Sequence, residues 1–322
     1  MKIVLFHPEL LPPKNYGGVE RVVLWLTEAL IELGHEVWVG ALEGSSLPGG
    51  ARLIEFPVNA RSAHDLLRKL PKGVDVVHFQ APPEAGVVEK LPCAHVVTIH
   101  GNGKPGETFS KNTIFLTQDH AARHQSRSFV WNGLNPREFI FNPRTSVNRR
   151  SNRYLFLSKT SWKVKNLAGA VEWIKRAGVS LDIAGGNRPF GIRMKSWLDP
   201  KLNWLGPVSG ERKAEILSQA KGFLFPVTWP EPFGLVVIEA LASGTSVLAS
   251  KLGSLPELVT ADVGRLIDPK DGEAWVESLR SGDWIADPSA CRDRFLRHFT
   301  HLHMAQSYLE RYARVIQGAQ LT

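Results

Sequence analysis

Cysteine is nearly missing from this chain. Cys93 and Cys291 are the two in 322 residues; they lie far apart and lack metal-ligand spacing, which excludes a disulfide framework and leaves no zinc signature. No run of 18 apolar residues occurs, so no segment reads as a membrane span. The opening MKIVLFHPELLPP has one lysine followed by four apolar residues before its His-Pro break, too short a core for a signal peptide. A reducing cytoplasm fits these absences. Acidic residues are also in short supply, 31 against 39 Lys and Arg, giving a formal net charge of +8 and a pI near 9.5. That excess asks for an anionic partner: nucleic acid, a membrane surface or a phosphorylated substrate. The basic residues are spread along the chain, and neither a zinc-finger nor an RNA-recognition pattern accompanies them, so nucleic acid is excluded from the reading.

What is present is an ordinary globular composition, 43% hydrophobic and 22% charged with a mean hydropathy of −0.12. A chain of this length exceeds what one core serves, and two α/β domains of about 150 residues are expected. Lys2 to His7 reads as a buried strand. After a loop with Gly17 and Gly18, the residues Val19, Val22, Val23, Leu26, Leu30 and Leu33 recur at helical spacing, Gly34 stops the run, and Val37 to Gly40 reads as a second strand. Further strand-like runs at Arg52–Phe56, Val74–Phe79, Ala94–Ile99, Thr113–Leu116 and Phe129–Trp131 alternate with loops and helices, which predicts a parallel sheet. The polar stretch NPRTSVNRRSNR then separates residues 1–145 from 150–298. A second series follows: strand Tyr154–Leu157, helix Leu167–Ala177, strand Val179–Ala184, helix near Phe190–Leu198, strand Leu202–Leu205 and helix Glu211–Ala220. A final helical pattern runs from Ala290 to Ala319.

The stretch Phe225–Glu257, FPVTWPEPFGLVVIEALASGTSVLASKLGSLPE, concentrates the chemistry. A strand ends at Phe225, a proline-punctuated loop follows, and helical periodicity starts near Phe233, with Pro232 at the first helical position and Gly244 past the end. The amides of Phe233, Gly234 and Leu235 would then face any bound phosphate in the positive half of the helix dipole. Glu231 and Glu239 bracket this helix start. Glu239 lies on an otherwise apolar face, where a charge must be paired or hydrogen-bonded. The plain alternative has Glu239 facing solvent and Glu231 capping the helix.

The sequence EPFGLVVIEALASGTSVLAS, followed by GSLPELV and GRLID, resembles the donor-sugar signature of retaining glycosyltransferase family 4. The resemblance implies the GT-B fold: two Rossmann-like, doubly wound domains with parallel sheets facing a cleft, and a C-terminal segment, 299–322, crossing back to the N-terminal, acceptor-side domain. It implies that Glu231 contacts the donor sugar, Glu239 the ribose, and the amides of Phe233 to Leu235 the diphosphate. Gly18 matches a glycine that lies against the diphosphate or acceptor; as an alternative, Gly17-Gly18 is a plain turn. His100, in TIHGNG, matches a histidine facing the reacting sugar, where a lone strand-end histidine would otherwise read as packed. Gly206 and Val208, in GPVS, match a turn that reads the nucleobase edge, or else form a left-handed turn with a Ser cap. WNGLNPREF resembles the family's close to the first domain.

One element departs from the pattern. Where the family places Gly-Arg shortly before a lysine, to neutralise the diphosphate without a metal, this chain has Ser158-Lys159-Thr160 and then Lys165-Asn166. Lys165 matches the second half; Lys159 can replace the arginine only as a point charge without its planar fork. No Asp-x-Asp pair is present to hold a cation, so neither metal nor cofactor is expected. The resemblance therefore implies a hexosyltransferase using a nucleotide-diphosphate sugar, with UDP-sugar favoured, on an unidentified glycan, lipid or small-molecule acceptor. A sugar-nucleotide epimerase of the same architecture and a non-catalytic sugar-nucleotide binder are the alternatives. The positive charge also suits peripheral contact with the inner face of a membrane.

Overall fold

The computed structural model describes residues 1–14, 17–104, 106–142, 150–186 and 199–321. Its contacts divide the chain into two units: Met1–Asn135 together with Phe299–Thr322, and Pro136–His298. The division falls at Asn135–Pro136, ahead of the polar stretch where the sequence placed it. The helix expected near Phe190–Leu198 lies outside the described residues.

In the first unit, strands β1 (Lys2–Phe6), β2 (Glu36–Leu42), β3 (Arg52–Phe56), β4 (Val76–Phe79), β5 (Ala94–Thr98) and β6 (Thr113–Ile114) form one parallel sheet in the order β3-β2-β1-β4-β5-β6. The run Phe129–Trp131, expected as a strand, contributes only an isolated bridge between Phe115 and Phe129. Helices α1 (Gly18–Glu32) and α2 (Ala63–Lys69) lie on connections between strands, and α3 (Gln118–Arg123) follows β6. The core is Val4, Phe6, Phe56, Val77, Phe79 and Phe115, with the ring of Phe6 edge-on to Phe56 and Phe79 at centroid separations of 5.5 and 5.8 Å.

The second unit repeats the plan. Its strands β7 (Arg153–Leu157), β8 (Ser180–Ala184), β9 (Leu202–Gly206), β10 (Phe223–Phe225), β11 (Val247–Ser250) and β12 (Gly264–Ile267) are parallel in the order β12-β11-β10-β7-β8-β9. Its helices are α4 (Leu167–Ala177), α5 (Gly210–Gln219), α6 (Leu235–Ala242), α7 (Leu255–Leu258), α8 (Gly272–Ser281) and α9 (Pro288–His298). Trp173 of α4 stacks on Trp275 of α8 at 4.7 Å, and Tyr154, Phe156, Ile174 and Leu279 complete that core.

The helix read as continuous from Ala290 to Ala319 is two helices, α9 and α10 (His301–Ile316). The break is made by the first unit. The Leu134 amide donates to the Phe299 carbonyl and the His301 amide to the Leu134 carbonyl, both at 2.9 Å, and Thr300 caps α10 by accepting from the His303 amide. Gly133 makes this possible, because a Cβ there would lie 2.1 Å from the Thr300 carbonyl oxygen.

Helix α10 is tied to the first sheet through a buried polar network. His78 Nδ1 meets the Tyr312 hydroxyl at 2.7 Å, His78 Nε2 meets Thr98 Oγ1 at 2.8 Å, and that oxygen meets the Tyr308 hydroxyl at 3.0 Å. All four residues are buried. Burial, with a smaller contribution from His100, brings His78 down to about 3, while burial raises both tyrosines. Tyr312→Phe strips a partner from a buried imidazole and should cost about 1–3 kcal/mol, read as a lower urea midpoint. The depressed His78 also sets a direction with pH. The unfolded chain takes up a proton below the ordinary value of 6.5 that the folded chain refuses until about 3. Stability contributed by this residue is therefore complete above pH 6.5 and falls by about 1.4 kcal/mol per pH unit below it. Urea titrations at stepped pH on the wild type and a His78→Asn variant measure that slope.

Candidate active site

In a doubly wound parallel sheet, ligands gather outside the carboxyl ends of the strands where the strand order reverses. In the second unit that point lies between β7 and β10, so the loops after Leu157 and Phe225 are the ones to inspect. They are joined directly: the Thr228 amide donates to the Val164 carbonyl at 2.9 Å. The junction carries Lys165 to Glu231. Lys165 Nζ lies 2.7 Å from Glu231 Oε2, and Trp229 Nε1 donates to the same oxygen at 2.6 Å. Both charges are buried, at 8% and 9% exposure. The ammonium also sits 5.1 and 5.3 Å from the ring centroids of Phe225 and Trp229, within cation–π range.

Glu231 is held from behind as well. The Ser254 amide donates to the Glu231 carbonyl at 3.0 Å, and Ser254 Oγ donates to the Phe233 carbonyl. Gly253, at φ +56°, passes so close that a Cβ would lie 2.5 Å from the Glu231 nitrogen. The GSLPE segment therefore acts as a brace for the loop that bears Glu231.

Helix α6 begins two residues later than the sequence suggested. Gly234, at φ +98°, is its N-cap, Leu235 its first residue, and Pro232 stands outside it. A left-handed turn at Gly234 delivers the chain into the helix, and a β-carbon would strain that turn. The site's helix-end amides thus start at Leu235 rather than Phe233. Glu239 is buried at 3% exposure and paired with Lys213 of α5, Nζ to Oε1 at 2.7 Å. Pairing supplies what a carboxylate on an apolar face requires. Lys213 was missed by the sequence reading. Its signal was a lysine spaced with Ile216, Leu217 and Ala220 on the buried face of α5, the mirror of the anomaly at Glu239.

Lys159 stands apart from this pair. It is exposed, with its ammonium 4.8 Å from the ring centroid of Trp162. Its loop is packed against β8: Gly185, at φ +102°, would place a Cβ 2.3 Å from the Ser158 carbonyl oxygen. Gly206 ends β9 in a left-handed turn at φ +70° and accepts from the Gly185 amide at 3.0 Å. Val208 is half-buried in the turn that follows, and Ser209 occupies the N-cap of α5 without a side-chain capping bond.

The first unit has an equivalent point between β1 and β4. His7 follows β1, Gln80 follows β4, and His100 lies two residues past β5. His100 Nε2 meets Gln80 Oε1 at 2.9 Å. Burial, and then His7, bring His100 down to about 3, so its ring is neutral at ordinary pH. His7 is lowered by burial too, against opposing pulls from Glu20 and Glu9. Gly18 is the first residue of α1, whose N-cap is Gly17. Gln80 and His7 were not singled out from sequence; their shared signal is position, each directly following a strand that borders the reversal.

The family profile for glycosyl transferases group 1 matches residues 142–294, and that for Glycosyltransferase Family 4 matches residues 16–161. A phosphatidyl-myo-inositol mannosyltransferase of Mycolicibacterium smegmatis is 27% identical over 310 residues, 82% of this chain and 80% of that protein. An alpha-maltose-1-phosphate synthase of the same organism is 37% identical over 113 residues, 31% of this chain and 29% of that one. Among solved structures, AviGT4, a glycosyltransferase involved in avilamycin A biosynthesis, superposes with a TM-score of 0.81 at 23% identity over 100% of this chain and 99% of its own. Anabaena HepE with UDP and glucose gives 0.71 at 15%, over 97% of this chain and 99% of its own. With the two profiles overlapping to span residues 16–294 and the fold shared along the whole length, the chain belongs to the family 4-like glycosyltransferases and has their GT-B fold.

Proposed function

We propose that this enzyme moves a hexosyl group from a nucleotide-diphosphate sugar to an acceptor hydroxyl, with retention at the anomeric carbon and without a metal ion. The observation that carries the reading is the buried Lys165–Glu231 pair standing beside the start of α6, with Lys213–Glu239 one helix away. Structural neighbours named as complexes with UDP and glucose, and with ADP and acarbose, support a nucleotide-sugar donor; a UDP-sugar is the donor proposed.

On this reading Glu239 takes the ribose hydroxyls and Glu231 a hydroxyl of the donor sugar. Glu231 Oε2 is committed to Lys165 and Trp229, which leaves Oε1 for substrate. Lys165 and the first amides of α6 receive the charge that develops on the departing diphosphate. The bond from the anomeric carbon to the phosphate oxygen breaks, the acceptor oxygen bonds to that carbon on the same face, and the acceptor proton passes to the leaving phosphate. Neutral His100 serves as a hydrogen-bonding group near the reacting sugar rather than as a proton donor. Relatives named for phosphatidyl-myo-inositol and D-inositol 3-phosphate suggest a polyol acceptor, free or lipid-borne. Among the described residues no helix is long and apolar enough to cross a membrane; the net positive charge would suit peripheral contact with an anionic membrane surface.

Four tests probe the division of labour. Glu239→Gln should weaken UDP binding about 10-fold in calorimetry, while Glu231→Gln leaves it nearly unchanged and lowers turnover; equal losses would show that both residues bind the nucleotide. Lys165→Ala should cut turnover about 100-fold or more, and wild-type activity should survive EDTA. Abolition by EDTA with rescue by Mn²⁺ would sink the metal-free reading. If Lys159 replaces the family's arginine, Lys159→Arg keeps part of the activity and Lys159→Ala little; a fully active Lys159→Ala assigns the charge to Lys165 alone. Finally, His100→Ala should lower kcat about 100-fold with donor affinity preserved.

A further inference from the structure

We infer that Gln80 is the positioning residue for His100: its side-chain oxygen holds the imidazole in the tautomer protonated at Nε2, leaving Nδ1 as an acceptor for a substrate hydroxyl. The inference rests on the proposed role of His100 but adds a residue and a tautomer that the role does not specify.

The geometry is local and closed on the protein side. Strands β4 and β5 are paired in register, Phe79 opposite Val97, so Gln80 and His100 leave adjacent strands at the same edge. The Gln80 backbone is pinned by its amide, which donates to the Phe6 carbonyl of β1 at 3.2 Å, and its side chain is buried at 5% exposure. From there Oε1 reaches His100 Nε2 at 2.9 Å. An amide oxygen can only accept, so the ring must donate. A neutral imidazole has a single N–H, and placing it at Nε2 leaves the Nδ1 lone pair uncommitted to Gln80. Burial, and then His7, hold this ring neutral; His78 and His120, which feel it in turn, are themselves brought down to about 3, while Glu20 and Glu9 pull His7 upward against its burial. Gln80 Nε2 is buried without a hydrogen-bond partner among the described residues. That orphaned donor sits beside the ring that the substrate hydroxyl is proposed to meet, so the same amide offers a second contact to a ligand oxygen.

Two variants decide the matter. Gln80→Leu keeps the shape and removes the acceptor. Gln80→Glu keeps the acceptor, has no donor, and adds a negative charge. Nitrogen-15 spectra of the full-length protein, with the His100 signals assigned by their loss in His100→Asn, read the tautomer without any turnover. The wild type and Gln80→Glu should both show Nε2 protonated and Nδ1 bare at pH 7.5, while Gln80→Leu shows a mixture. In donor hydrolysis or transfer with UDP-sugars, Gln80→Leu should lose about 10-fold or more in kcat with the donor KM unchanged, as expected when a ring nitrogen carries its proton on the wrong side. Gln80→Glu should raise the His100 pKa, so its activity falls off at a higher pH than in the wild type as the medium is acidified. A wild type protonated at Nδ1 that switches to Nε2 protonation in Gln80→Glu would mean that the amide donates to the ring, and overturns the inference. So would an unmixed, wild-type tautomer in Gln80→Leu. If the spectra follow the expectation but no UDP-, GDP- or ADP-sugar is turned over, the positioning stands and the transferase reading of His100 fails.

Discussion

A parallel sheet imposes a direction on everything built upon it. Each strand must be followed by a crossover before its neighbour can start, so every carboxyl end falls on one edge and every loop that leaves that edge can reach a ligand. Both units obey this constraint, with the same strand order and the same reversal between the first strand of the unit and its fourth. The residues that matter follow from it. Lys165 lies on the connection after β7 and Glu231 after β10; His7 comes after β1, Gln80 after β4 and His100 after β5. None needs an elaborate scaffold, because the sheet places them within a few residues of a rigid strand end.

The two edges solve their electrostatics in opposite ways. In the second unit charge is buried in opposite-sign pairs, and each pair offsets desolvation through a short contact between ammonium and carboxylate. Such a pair is preorganised for a ligand with charges of its own, since a sugar hydroxyl or a phosphate can share what the partner already stabilises. In the first unit burial keeps the imidazoles of His78, His100 and His120 uncharged. A neutral ring is directional: it donates from one nitrogen and accepts at the other, and a neighbouring dipole can choose which. Charge handling and hydrogen-bond direction are thereby assigned to different halves of the protein.

Much of this could be read from the chain alone, because the readable parts are local. Strand–helix alternation, Gly244 past the end of α6 and the carboxylate pair Glu231/Glu239 are written in contiguous residues. What escaped was set at a distance. Apolar spacing runs through Phe295, Phe299, Met304, Tyr308 and Tyr312 without interruption, so the break at Phe299–Thr300 is invisible until Leu134 is brought beside it. The start of α6 was misplaced because Pro232 fits a first helical position on local grounds, whereas the left-handed turn at Gly234 accompanies the Ser254–Phe233 brace. Lys213 and Gln80 carry no motif. Their importance comes from a partner 26 residues away in one case and 20 in the other.

The bridge between Leu134 and Thr300 has a consequence for how the molecule is made. The first unit is interrupted in sequence by the whole of the second, and the helix whose tyrosines close over His78 and Thr98 leaves the ribosome only after that second unit has been made. Domains that are continuous in sequence can fold one after another as they emerge. Here the half begun first is finished last, and the buried imidazole at its centre waits through the synthesis of the other half before its second partner arrives.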